Sequence, residues 1–133
     1  MRAALTALLL ADPDLAARVG ARIHWGVLPA HAAALPYLNL MLVSAPVGYT
    51  LDGEAATSTS TVQIDAWAST ALEAEQLRWD VRACLSGYRG TRDGVTFARI
   101  FVSGTRDLSG RDLGDLSALF GTSLDVTIRW RAP

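Results

Sequence analysis

The period of the hydrophobic positions changes several times along the chain, and each change marks the edge of an element. Between Arg2 and Ala11, Leu5, Leu8 and Leu9 share one helical face; Asp12-Pro13 then stops that helix and caps a second short one carrying Leu15 and Val19, ended by Gly20. Arg22 to Trp25 reads as a short extended piece, and Gly26 to Leu35, rich in Ala with Pro29 and His31, as an irregular connection. Tyr37 to Ser44 is an apolar run between Pro36 and Pro46 with the length of a buried strand. The stretch from Pro46 to Ser60 holds Gly48, Asp52-Gly53 and a Thr/Ser tract, which predicts the long turn of a hairpin, with Val47 to Ser60 a mobile loop until a partner orders it. Thr61 to Trp67 is the return strand: Val62, Ile64 and Ala66 face one way, Gln63, Asp65 and Trp67 the other.

Helical spacing returns after Ser69 and Thr70, either of which can cap a helix in which Ala74, Leu77, Val81, Cys84, Leu85 and Tyr88 recur. This is the longest predicted element, and it should lie across the sheet. Gly87 and Gly90 stop it, and Asp93-Gly94 turns the chain. Val95 to Ser103 reads as a third strand, with Phe97 and Phe101 on one face and Ile100 and Val102 on the other, and two apolar faces place it at the sheet centre. Thr105 to Gly121 reads as a polar connection, and Leu124, Val126, Ile128 and Trp130 alternate with Asp125, Thr127, Arg129 and Arg131 as a half-exposed last strand. The expected fold is one α+β domain spanning 1–133: a mainly antiparallel sheet of about four strands, one long helix on a face, and short helices at the start.

Composition removes several classes of function. The 133 residues carry a formal net charge of −1 and are 50% hydrophobic, as in an ordinary globular domain. A protein that holds duplex DNA by neutralising phosphates usually shows a basic excess or stripe. None exists here, and the charges between Arg106 and Asp115 are mixed in sign. Cys84 is the only cysteine, which leaves neither an internal disulfide nor a zinc framework and suits assembly in a reducing cytoplasm. The apolar run Ala3 to Ala11 is short, lacks a clear cleavage site and ends at Asp12-Pro13, so it is expected to be a helix rather than a signal-peptide core.

Few residues are spaced for catalysis or ligand binding. His24 and His31 are not at the i, i+4 spacing that presents two imidazoles to one metal. No G-x-S-x-G elbow surrounds a serine, and the glycines lack the order of a phosphate-binding loop. Asp65 with neighbouring Gln63 offers a carboxylate, yet a solvated face or subunit contact is its expected role rather than general base. No catalytic residue, cofactor or metal is therefore expected. Tyr49 and Leu51, beside Asp52 and Glu54, are apolar residues in a polar turn, and Trp79 lies on the charged side of the long helix next to Arg78 and Asp80. These seven, Tyr49, Leu51, Asp52, Glu54, Gln63, Asp65 and Trp79, are the candidate interface residues.

The order of segments adds a resemblance. Arg22-Ile23-His24-Trp25-Gly26, then Leu35-Pro36-Tyr37-Leu38, then Val62-Gln63-Ile64-Asp65-Ala66-Trp67-Ala68 entering a helix of about two dozen residues, then Ser123-Leu124-Asp125-Val126-Thr127-Ile128, resembles the tail terminator, or tail completion, proteins of siphophage-type tails and gene transfer agents. The Val62 to Ala68 strand is the most specific piece, and the likeness does not run residue by residue through 30–34 and 107–121. It implies a non-enzymatic virion protein at the head-tail interface: a homo-hexameric ring that caps the tail tube protein, meets a head-side stopper and passes DNA only in transit, without a membrane. Another connector role, adaptor or stopper, and a small α+β ligand-binding domain or enzyme are the alternatives. A deep pocket with converging polar groups would favour the last.

Overall fold

A computed structural model describes residues 1–26, 34–112 and 118–133, with side chains left undescribed from 109 to 119. Two short helices open the chain, α1 (Arg2–Leu10) and α2 (Pro13–Val19). Asp12 starts α2 by accepting hydrogen bonds at Oδ1 from the backbone N–H of Asp14 (2.9 Å) and Leu15 (3.1 Å), with Pro13 in the first turn where its missing donor costs nothing. Gly20 ends it at φ 56°, a conformation that strains any residue with a β-carbon. The strands follow: β1 (Ile23–Trp25), β2 (Tyr37–Ser44), the two-residue arms β3 (Tyr49–Thr50) and β4 (Gly53–Glu54), and β5 (Thr57–Ala68). Thr70 then caps α3 (Ala71–Leu85), its Oγ1 accepting from the Glu73 N–H at 3.1 Å, and β6 (Gly90–Arg92), β7 (Val95–Asp112) and β8 (Ala118–Arg131) complete the chain.

The main sheet has six strands in the order β1-β2-β5-β8-β7-β6, all antiparallel except the β1–β2 pair, and β3–β4 forms a separate two-stranded ribbon. Residues opposite one another in the ladders share a face. Leu40, Ile64 and Leu124 therefore line one face, as do Val62 with Val126 and Ile100 with Ile128. All three helices cover that face, burying Leu5, Leu8 and Leu9 of α1, Leu15 and Val19 of α2, and Leu77, Val81 and Leu85 of α3 in one cluster. An ion pair between Arg18 and Asp80 ties α2 to α3 at the rim of this layer. Trp25 ties β1 to α1, donating from Nε1 to Thr6 Oγ1 at 2.8 Å with the Arg2 guanidinium 5.2 Å from its ring centroid.

The α+β class, the single long helix and the mainly antiparallel sheet agree with the sequence reading, and the sheet is larger than the expected four strands. Three readings account for the difference. The Thr/Ser tract is strand, since Thr57 to Thr61 pairs with Arg131 to Thr127, so the hairpin turn ends before it. The polar segment after Thr105 is strand up to Asp112, paired back to Ala118, within the described residues. Third, β1 and β6, three residues each, are extended edges. The helix spans 15 residues rather than two dozen, because Ser86 and Gly87 leave helical geometry and Tyr88 packs from the following turn.

Strand β7 is not central either. Its register shifts between Phe97 and Arg99, so Phe97 and Ile100 both reach the core while Phe101 points outward, half exposed. One extra residue at a bulge reverses the alternation that follows it. The central position belongs to β8, flanked by β5 and β7.

Candidate functional site

The seven candidate residues occupy three separate surfaces. Tyr49, Leu51, Asp52 and Glu54 form the tip of the β3–β4 hairpin, where Tyr49 is 73% exposed and Leu51 fully so. The turn holds itself with Thr50, whose Oγ1 donates to the Gly53 carbonyl at 3.2 Å and accepts from the Asp52 N–H at 3.3 Å. Trp79 stands half exposed on the outer side of α3 with the Arg82 guanidinium 5.0 Å from its ring centroid. Gln63 and Asp65 lie on the sheet face that the helices leave uncovered, with Gln63 Nε2 donating to Asp65 Oδ1 at 2.9 Å. Helix α3 and the Gln63–Asp65 pair are thus on opposite sides of the sheet.

The uncovered face carries a feature that residue-by-residue reading misses. Ladder register aligns His24, Asn39, Asp65, Ser123 and Arg106 in one polar row across β1, β2, β5, β8 and β7. Within it, His24 Nε2, Asn39 Oδ1 and Ser123 Oγ are buried and have no hydrogen-bond partner among the described residues. Beside the row, Arg106 Nη1 donates to Asp125 Oδ2 at 2.7 Å, and Tyr37 meets His24 edge-on with ring centroids 6.0 Å apart. Burial, and secondly the Asp65 carboxylate, raise the Tyr37 phenol above its ordinary pKa. Half-exposed Met41 and Phe101 share the face, the latter under Arg129 at 5.8 Å. Asn39, Ser123 and Arg106 carry no signal in their own segments, because only cross-strand register brings them together.

Cys84 is half buried where α3 meets α1, its thiol pushed up to about 12 by burial first and then by Asp12. The side chain packs against the core cluster. A cavity of about 530 Å³ opens between the first turns of α3 and the Thr105–Leu108 segment and is lined by Glu75, Arg78 and Asp107 among others. His31 lies outside the described residues.

The fold is that of a small α+β domain whose candidate residues lie on three separate surfaces. The sequence matches the model of the tail completion protein gp17 family over residues 3–131, and the chain belongs to that family. Its place is accordingly the virion tail, as a structural protein. The fold is also similar to a chain in the structure of the virion of a native gene transfer agent particle, at 20% sequence identity and a TM-score of 0.70, with 99% of this chain and 95% of that chain covered. No curated protein matches the sequence.

Proposed function

We propose that this chain is a non-catalytic tail completion subunit that closes with its own copies into a hexameric ring, caps the tail tube and joins it to the head-side stopper, with DNA passing through the bore. The observation that carries this reading is the family match over residues 3–131, nearly the whole chain. Its chemistry is consistent with passage rather than grip, since a net charge of −1 offers duplex DNA little counterion-release affinity. A heterologous ring needs two different complementary patches on every subunit. The hairpin tip, the uncovered sheet face and the outer side of α3 supply candidates on well-separated parts of one domain.

Particles produced without this chain test the reading. Tails of uncontrolled length and heads left unjoined are expected. Joined particles with tails of normal length would contradict it.

A further inference from the structure

The β3–β4 hairpin presents apolar side chains that the core does not use. Val47, Tyr49 and Leu51 are 60, 73 and 106% exposed. Two carboxylates, Asp52 and Glu54, sit beside them, and no basic residue lies between Ala45 and Ala56. The projection is therefore an apolar knob with negative charge. Apolar side chains exposed together on one short hairpin suit a binding element.

A second part of the same chain has the opposite character. An open cleft of about 460 Å³ lies where β6 and β7 meet the ends of β5 and β8. Its floor is the exposed Ala98 and the half-buried Trp130, with Phe97 beneath them, its rim carries the exposed Arg89 and Arg131, and no acidic residue lines it. The floor is fixed from below: Phe97 is buried edge-on against Tyr88 with centroids 5.8 Å apart, and Trp130 donates from Nε1 to Ser60 Oγ at 3.0 Å. An apolar floor with exposed cations at its edge suits an apolar group that carries negative charge beside it.

We infer that the β3–β4 hairpin of one copy docks in this cleft of a neighbouring copy, with Tyr49 and Leu51 over the Ala98–Trp130 floor and Asp52 and Glu54 facing Arg89 and Arg131. The inference rests on the ring reading above and names its repeating contact. Knob and cleft complement each other in charge and polarity, which commits the occupant to a second copy. The full exposure of Leu51 excludes its insertion into the cleft of its own chain. Where the same two copies do not return the contact it is head-to-tail, and a head-to-tail contact that closes generates a cyclic ring.

Charge exchange tests the contact on the full chain. Two variants are compared with the wild type by sedimentation: a hairpin-reversed form, Asp52→Arg with Glu54→Arg, and a cleft-reversed form, Arg89→Glu with Arg131→Glu. All four positions are exposed, so thermal unfolding of each variant should match the wild type. Each variant alone should need at least about tenfold more protein to assemble. An equimolar mixture should recover wild-type assembly, because each reversed hairpin then meets a reversed cleft. Wild-type rings that persist unchanged in both variants would overturn the docking and leave the ring standing. Loss of tube binding with self-association intact would also overturn it and assign the hairpin to the tube. A wild-type chain that is monomeric in solution and in particles would overturn ring and docking together.

Discussion

The indole of Trp67 lies so close over Gly121, its partner on the adjacent strand, that a β-carbon added there would stand 2.6 Å from Cε3 and Cζ3 of the ring. The absence of a side chain at 121 lets the ring cover the β8 backbone on the face without helices. Gly121→Ala should force the ring aside and cost about 1–3 kcal/mol, the range of overpacked sites. Urea unfolding of the variant measures this. An unchanged midpoint would show that the ring moves freely.

Leu77 and Trp79, two residues apart on α3, should separate stability from assembly. Leu77 is fully buried against the sheet, so Leu77→Ala should destabilise by about 2–5 kcal/mol. Trp79 faces outward, so Trp79→Ala should change stability by less than about 1 kcal/mol while weakening incorporation into particles. Melting curves and incorporation assays on the two variants check the pair. Equal loss of stability would remove the interface role from Trp79.

The Ser123 hydroxyl is buried on the uncovered face with no partner among the described residues. Removing an unpartnered polar group relieves its desolvation cost, so Ser123→Ala should leave the free subunit as stable or more stable by about 1 kcal/mol. Denaturant titration decides it, and a loss of stability would contradict an unpartnered hydroxyl.

On the alkaline side, Cys84 and Tyr37 act in the same direction. Both have folded-state pKa values raised by burial, so the stability they contribute is complete below their unfolded values and is lost as pH rises. For Cys84 the window runs from its ordinary 9.0 to about 12. Melting temperature should fall through this range, and less steeply in Cys84→Ala. In the folded chain at mildly alkaline pH, a thiolate-selective reagent should modify Cys84 slowly and then rapidly once urea unfolds it. Rapid modification of the folded chain would contradict the burial.

Local signals carried the elements that depend on local chemistry. Asp12-Pro13 and Thr70 mark helix starts because capping is a short-range interaction, and Tyr37 to Ser44 stands between two prolines. The Val62–Gln63 alternation survives intact because β5 has no bulge in its ladder with β8. What stayed hidden depends on partners distant in sequence. The Thr57–Ser60 tract reads as turn until β8 is known to pair with it, and the bulge after Phe97 is fixed by β8 rather than by the residues of β7. The same holds for the surfaces: Tyr49, Leu51 and Trp79 are visible as apolar residues in polar surroundings, whereas the cleft and the polar row arise only when four or five strands are brought into register.

The mass of the assembled species tests the ring most directly. Native mass spectrometry of the purified chain, or of the capped end released from tails, should give six times the subunit mass of 14.2 kDa, with an open centre in class averages of the same particles. A single-subunit mass in both preparations, with no ring at the tail end, would contradict the proposal.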